Sequence, residues 1–244
     1  ILGRGWDQND WQDSTYPDKT LLDSLSPNTP VYLMRIDGHA VLVNQKALDI
    51  AGITTSTKVQ GGEIITKNKH LTGLLIDNAV DIVKAHIPEF TAQIKKEGLI
   101  KGEQNCFAVG LTSLVDAGLR VEDILLLDSL QKAGTIKMKI YAVAELSNAS
   151  KNYWFKRGKY KTDYLQVKSF KLYADGALGS RGACLLLPYS DMPGHFGFML
   201  KDEDSIQLLA KEIYDSGFQL NTHCIGDSAN RFMLQVYAAN LKTK

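Results

Sequence analysis

The sequence predicts an α/β fold in which strands and helices alternate through the second half of the chain. Apolar runs of strand length, rich in β-branched and aromatic residues, occur at 111–115, 138–144, 167–173 and 218–222. Two stretches with apolar residues at helical spacing, 121–133 and 203–216, lie between such runs and end at Gly134 and Gly217. Helices that recur between strands favour parallel pairing with right-handed crossovers. The sequence therefore predicts either a doubly wound open sheet or a closed (β/α) barrel, with the chemistry at the carboxyl ends of the strands.

The first 90 residues follow a different pattern, because turn signals separate short strands there. Residues 31–36 and 40–43 flank the turn Asp37-Gly38-His39, and this arrangement predicts a hairpin. A helix is expected to follow over 45–51.

A second hairpin is predicted from the runs at 62–66 and 71–76, with a helix over 78–85 after it. We therefore divide the chain into an N-terminal segment of hairpins and helices over 1–90 and a set of strand–helix units over 91–244.

The composition is that of a globular protein without a strongly charged surface. Of the 244 residues 44% are hydrophobic, and 28 basic side chains nearly balance 27 acidic ones, for a net charge of +1. This balance excludes the basic footprint that nucleic acid or an anionic membrane attracts. We therefore expect no nucleic-acid partner and no membrane partner, and small-molecule chemistry or protein contacts instead.

Cysteine usage indicates a reducing compartment. Cys106, Cys184 and Cys224 are far apart, form no C-x-x-C pair and are too few for a disulfide framework. No apolar run approaches the roughly 20 residues needed to cross a bilayer, and the N-terminus lacks the pattern of a signal peptide. A cytoplasmic location is the resulting expectation.

Lys171 opens the stretch KLYADGALGSRG at the end of the third apolar run. Gly176, Gly179 and Gly182 follow at G-x-x-G-x-x-G spacing, which differs from the dinucleotide-binding fingerprint. The simplest interpretation of these glycines is that they allow backbone angles closed to other residues in a long loop. Most lysines are solvated, so a lysine at a strand end in a parallel fold is a functional candidate.

His223 is a second candidate, because it ends the fourth apolar run in FQLNTHCIGD. Neutral imidazole suits zinc, whereas a lysine ammonium repels any cation. The two residues therefore form a metal site only if Lys171 is modified or another residue contributes. A carboxylated lysine would supply the missing anionic oxygens.

Five sequence blocks, in this order, carry a family resemblance: GRGWDQNDW (3–11), PVYLMRIDGHAVLVNQKAL (30–48), GLTSLVDAG (110–118), KLYADGALGSRGACLLLPYSD (171–191) and THCIGDSA (222–229). Together they resemble the amidohydrolase superfamily, in the branch of N-substituted formamide deformylase-like enzymes, some of which carry the label exoenzyme regulatory protein. The blocks span nearly the whole chain.

The resemblance implies a (β/α)8 TIM barrel of the metal-dependent hydrolase type that cleaves carbon–nitrogen bonds of small-molecule amides by a metal-activated water. The cofactor it implies is a divalent metal, with zinc as the expected ion. In the family pattern, the position of Lys171 is the carboxylated lysine that bridges metals, and that of His223 is a metal ligand from the fifth strand. The resemblance thus makes Lys171 and His223 both the metal-binding and the catalytic candidates.

The same resemblance implies that parts of the site lie outside this sequence. Relatives carry an H-x-H motif on the first strand, a histidine on the sixth and a catalytic aspartate on the eighth, and none of these is present here. We therefore interpret the chain as a central fragment, a partial (β/α)8 TIM barrel comprising strands 2 to 5, with 1–90 as an inserted segment over the barrel mouth. We expect it to be inactive alone, to hold little or no metal, and to form a homodimer or aggregate through unpaired strand edges.

Five further residues are candidates for substrate binding. Arg35 and His39 flank the turn in RIDGH, where the resemblance implies a place over the active-site mouth; a loop held by its own hydrogen bonds explains them equally well. Arg181 is placed to reach an anionic substrate group, although loop arginines are usually solvated. Trp6 and Asp7 combine an aromatic ring with a carboxylate, which suits recognition of an organic amide.

A second function class is compatible with the sequence. A non-catalytic binding or regulatory module could keep the barrel scaffold after losing its metal residues. The reading frame around the chain distinguishes the two: an H-x-H strand encoded upstream favours the enzyme, and a stop codon directly after Lys244 favours the module.

Overall fold

The structure, a computed structural model, describes residues 1–241 and divides into two compact units. The first unit comprises 1–87, 173–206 and 224–238, and the second comprises 88–172, 207–223 and 239–241. No helix within residues 1–241 has the length and apolar character that crossing a membrane requires.

The first unit contains a five-stranded sheet in the order β1-β2-β3-β5-β4. Its strands are β1 (Leu2–Trp6), β2 (Tyr32–Arg35), β3 (Ala40–Val43), β4 (Gly62–Lys67) and β5 (His70–Asp77). Both predicted hairpins are confirmed, since β2 pairs antiparallel with β3 and β4 pairs antiparallel with β5. The additional strand β1 pairs parallel with β2. The local pattern of β1 does not predict a strand, because its two glycines weaken the strand signal.

Three short helices accompany this sheet: α1 (Thr20–Leu25), α2 (Gln45–Ile50) and α3 (Asn78–Lys84). The predicted helices at 45–51 and 78–85 are therefore confirmed to within a residue. The buried core of this part is mostly aliphatic and includes Val41, Val43, Leu48, Leu75 and Val80.

The remaining elements form strand–helix units. They are α4 (Ala92–Ala108), β6 (Ser113–Leu119), α5 (Val121–Lys132), β7 (Lys139–Glu145), α6 (Asn148–Arg157), β8 (Tyr160–Lys161), β9 (Leu165–Tyr173), α7 (Glu203–Asp215), β10 (Gln219–His223) and α8 (Asp227–Leu241). Their sheet has the order β10-β9-β7-β6, with β8 attached to β9. The pairs β6·β7 and β7·β9 are parallel, as predicted.

The four predicted strands of this sheet are all present, but β6 spans Ser113–Leu119 rather than 111–115. Because β6 pairs with β7 as far as Leu119, the strand includes Asp116 and Gly118. Neither residue type favours a strand by its composition. Helix α4 has no buried residue, and α6 is mostly polar, so neither shows the apolar stripe from which helices are predicted.

Helix packing covers one face of the second unit's sheet. Ile140, Ala142 and Phe170 from β7 and β9 belong to one buried cluster with side chains of α5 and α6. The Phe170 ring meets Phe155 of α6 edge-on, with 5.5 Å between ring centroids. The α/β prediction with a parallel sheet is thus confirmed, while its closure into a partial TIM barrel stays a prediction.

Candidate active site

The face of the second unit's sheet opposite this cluster carries several polar side chains. Ser169 of β9 accepts hydrogen bonds through Oγ from the Tyr141 hydroxyl of β7 at 2.6 Å and from Nδ2 of Asn221 of β10 at 3.2 Å. These contacts place one side chain from each of three strands on a common face.

Both metal-site candidates lie on this polar face. Lys171 is two residues beyond Ser169, and His223 is two residues beyond Asn221. Since side chains alternate along a strand, Lys171 and His223 share the face of Ser169 and Asn221, one step nearer the strand ends. Strands β9 and β10 are neighbours, as predicted for the residues that would share a metal.

Glu145 is a further candidate for this site that the sequence analysis did not name. It ends β7 and stands opposite Lys171 in the β7·β9 register, so a carboxylate joins the lysine at the same edge of the sheet. Its Oε1 accepts a hydrogen bond from the Ser147 hydroxyl at 2.8 Å. The signal was the same one that marks Lys171 and His223: a charged residue directly after the apolar run of a parallel strand.

Lys171 is half-buried, and this burial lowers the pKa of its amine. A lowered pKa increases the fraction of neutral amine, which is the form that reacts with electrophiles. Partial burial therefore distinguishes Lys171 from a fully solvated lysine.

The donor set within residues 1–241 does not make a metal site by itself. No group of three or more His, Cys, Asp or Glu side chains in this part of the chain could hold an ion. Lys171 and His223 provide two positions, whereas zinc sites in proteins use three or four protein ligands.

Arg35, in the first unit, lies at the centre of a buried charge network. Its side chain is only 2% exposed; Nε donates to Oε1 of Gln8 at 2.8 Å, and Nη2 pairs with Oδ1 of Asp7 at 2.6 Å. Nη1 pairs with Asp37, and the guanidinium carbon lies 6.0 Å from the Trp6 ring. Three of the predicted substrate-binding residues, Trp6, Asp7 and Arg35, therefore form one cluster.

His39 belongs to a second charge pair of the first unit. Its Nδ1 lies 2.6 Å from Oδ1 of Asp77, whose side chain is almost fully buried. Burial pulls the pKa of His39 down, but the hydrogen bond and charge of Asp77 outweigh it and raise the pKa above its ordinary value. Asp77 has a positive φ of 50°, a backbone strain that non-glycine residues adopt mainly where the surroundings enforce it.

Arg181 also has structural partners. Its Nη2 donates to Oδ2 of the exposed Asp191 at 2.8 Å, and its guanidinium lies 5.1 Å from the centre of the Tyr16 ring. The Tyr16 hydroxyl in turn donates to the carbonyl of Gly179 at 3.0 Å. Arg181 thus extends from the glycine loop to a neighbouring segment of the same unit.

The three glycines of the loop after β9 are explained by these charge pairs. A Cβ at Gly176 or Gly182 would overlap the Asp77 carboxylate, and a Cβ at Gly179 would lie 2.8 Å from both terminal nitrogens of Arg35. None of the three has a positive φ. The expectation that they serve backbone angles is therefore wrong: they leave room for buried charged groups.

Comparison with known proteins identifies the family of this chain. The whole chain, residues 1–244, matches the amidohydrolase family, and the protein belongs to that family. The curated relatives include the putative amidohydrolase YtcJ of Bacillus subtilis, 32% identical over 243 residues. They also include Protein LONG AFTER FAR-RED 3 of Arabidopsis thaliana, at 29% identity, and the exoenzymes regulatory protein AepA of Pectobacterium carotovorum, at 23%.

The fold is similar to those of two solved structures described as uncharacterized metal-dependent hydrolases. The one from Pyrococcus horikoshii has a TM-score of 0.68 at 21% identity, and the one from Pyrococcus furiosus a TM-score of 0.64 at 23% identity. Each comparison covers 98% of this chain but 47% and 49% of the solved chains. The matches to the curated relatives include 94% of this chain for YtcJ, 97% for LONG AFTER FAR-RED 3 and 91% for AepA. They include 44% of YtcJ, 43% of LONG AFTER FAR-RED 3 and 50% of AepA. The chain thus spans about half the length of the relatives it matches.

Proposed function

We propose that the protein containing this chain hydrolyses a carbon–nitrogen bond of a small, non-peptide amide, in the manner of N-substituted formamide deformylase-like amidohydrolases. The observation that carries the proposal is the placement of Lys171 and His223 on one polar face of neighbouring strands, at their carboxyl ends. Family membership and the likeness to metal-dependent hydrolases support the same reaction class.

In this proposal β6, β7, β9 and β10 are strands 2 to 5 of a barrel, and the chain is its central part. A divalent metal, with zinc expected, would be held by Lys171 and His223 only together with ligands that this chain does not supply. Trp6, Asp7 and Arg35 would act as one substrate-binding cluster, with His39 and Arg181 as further contacts.

The test is hydrolysis by the full-length protein that contains this chain, with zinc added, on a panel of N-substituted formamides and simple amides. Lys171→Ala and His223→Ala should each lower kcat/KM by about 100-fold or more, since even the hydrogen-bond partners of metal ligands are worth 10- to 100-fold. The control is Lys161→Ala, an exposed lysine of β8, which should leave kcat/KM unchanged.

Elemental analysis belongs to the same experiment. The full-length protein should bind zinc, and the variants should lose it, whereas residues 1–244 alone should hold little. Full activity in both variants would contradict the proposal.

The described residues contain no group of three or more His, Cys, Asp or Glu side chains that could hold a metal ion, and this favours one second candidate. A non-catalytic binding or regulatory module on the same scaffold would bind small amides without hydrolysing them. A full-length protein that binds a panel amide in calorimetry, but releases no product from it with zinc present, would support this module instead.

A further inference from the structure

Asp175 is a buried carboxylate four residues beyond Lys171, and its hydrogen bonds join two loops of the first unit. Its side chain is inaccessible to solvent. Oδ1 accepts the backbone N–H of Ile225 at 2.9 Å, and Oδ2 accepts those of Gly226 at 2.7 Å and Cys184 at 2.9 Å. Hydrogen bonds to a charged acceptor are stronger than neutral ones, so this carboxylate is a firm anchor for three amides.

The segment after β10 is also packed tightly against the loop after β9. The backbone N–H groups of Ser228 and Ala229 both donate to the Cys184 carbonyl, at 3.2 and 3.4 Å. A Cβ at Gly226 would overlap the backbone of Cys184, so glycine is required for this approach. The turn after β10 therefore has little freedom to move away from Asp175.

Asp175 thus holds the chain just beyond two functional candidates. Lys171 precedes it by four residues on one strand, and His223 precedes Ile225 by two residues on the next. We propose that Asp175 is a positioning residue, which fixes the end of the His223 strand against the end of the Lys171 strand through the Ile225 and Gly226 amides. This proposal rests on the proposed function in one respect, which is that Lys171 and His223 are taken to be functional residues.

The first test is Asp175→Asn in the isotopically labelled full-length protein that contains this chain. Asparagine keeps the size of the side chain but replaces one acceptor oxygen with a donor, which cannot bind a backbone N–H. All three amides, of Ile225, Gly226 and Cys184, lose a charged acceptor, so their hydrogen exchange should accelerate, by about 10- to 100-fold where the acceptor oxygen itself is replaced. The NMR signals of the His223 ring and the Lys171 ε-methylene should shift, while Phe170 and Trp154 in the core keep theirs.

The matched control is Asp191→Asn, which removes an exposed carboxylate from the same loop without touching a strand end. It should leave the His223 and Lys171 signals in place. A purely local structural role for Asp175 would accelerate exchange at the three amides but leave both side-chain signals unchanged, and that result would overturn the proposal.

A second variant covers the case in which Asp175→Asn does not fold. In the full-length protein, ligation at Cys224 allows a semisynthetic C-terminal segment to carry an ester in place of the Gly226 amide, which deletes that single N–H. Compared with the all-amide ligated chain, the His223 signals should shift as in Asp175→Asn; unchanged signals would refute the proposal.

The outcome is separable from that of the proposed function. Shifted His223 and Lys171 signals, combined with a full-length protein that hydrolyses nothing, would retain the positioning role and reject the reaction. If hydrolysis occurs, Asp175→Asn in the full-length protein should lower kcat more than it raises KM.

Discussion

The glycines of the loop after β9 show how single residues shape this protein. Gly179 lies against the guanidinium of Arg35, which is held by Gln8 and Asp7 and has no room to move. Its neighbours in the repeat, Gly176 and Gly182, lie against the carboxylate of Asp77. A side chain at any of these positions must displace a buried, hydrogen-bonded charge, and the repeat is therefore a packing requirement.

Gly179→Ala should lower the free energy of unfolding by about 1–3 kcal/mol, the usual cost of overpacking a buried site. Urea denaturation followed by circular dichroism measures it. The control is Gly98→Ala in α4, where a Cβ meets nothing within 4 Å. That change should be neutral or stabilising by about 0.5–1 kcal/mol, because alanine is the better helix former. Equal effects at both positions would contradict this account.

His39 should make the stability depend on pH. Its pKa is raised in the folded protein, so the protonated ring stabilises the fold. This contribution is complete below the unfolded-state value of about 6.5 and is lost as the pH rises through the folded-state pKa.

The difference in unfolding free energy between the wild type and His39→Gln should therefore shrink from pH 6 to pH 9. His70→Gln, at an exposed position of β5, is the matched histidine substitution with which the His39→Gln trend is compared. A His39→Gln difference that grows with pH would show that the charged ring is not the stabilising form.

At the scale of elements, the start of α2 depends on one buried side chain. Oδ1 of Asn44 accepts the N–H groups of Val31 and Ala47, at 2.9 and 3.1 Å. Its Nδ2 donates to the carbonyls of Ser26 and Thr29, at 2.8 and 2.9 Å. One amide therefore caps α2 and also secures the segment that leads into β2.

Asn44→Asp should cost about 2–4 kcal/mol of unfolding free energy, because a buried carboxylate would face two carbonyl oxygens in place of the donor. Thermal denaturation at neutral pH measures this loss. The same substitution at Asn148, exposed in the first turn of α6, should be neutral or slightly stabilising, since a negative charge there favours the helix dipole. A neutral Asn44→Asp would mean that the amide donor is dispensable.

At the scale of the whole molecule, the sheet of the second unit presents an edge. Within residues 1–241, β6 pairs with β7 alone, and its Val115 is 61% exposed. An apolar strand edge of this kind is a template for pairing with another chain.

We expect the 244-residue chain to dimerise or aggregate at tens of micromolar, as measured by light scattering. Val115→Lys should shift it toward the monomer, because a lysine on an edge strand opposes strand addition. Leu208→Lys, on an exposed position of α7, should leave the association unchanged. A wild-type chain that is monomeric at this concentration would contradict the expectation.

The local sequence predicted many of the elements and the two metal-site candidates. Turn residues and short apolar runs are signals that lie within about ten consecutive residues. These signals were enough to predict the two hairpins, α5 and the strands β7, β9 and β10. Lys171 and His223 were found in the same way, because a charged residue at the end of an apolar run is a local signal. Glu145 carries the same signal and was available to the same reasoning.

Only the tertiary structure decided which distant residues meet. Asp77 packs on Gly176 and Gly182, Arg35 packs on Gly179, and Asp175 binds the amides of Ile225 and Gly226. The partners in each case are 50 or more positions apart in the sequence, so no local periodicity relates them. The strand β1 likewise exists through its parallel pairing with β2, which supplies the backbone hydrogen bonds that its own glycine-rich sequence does not predict.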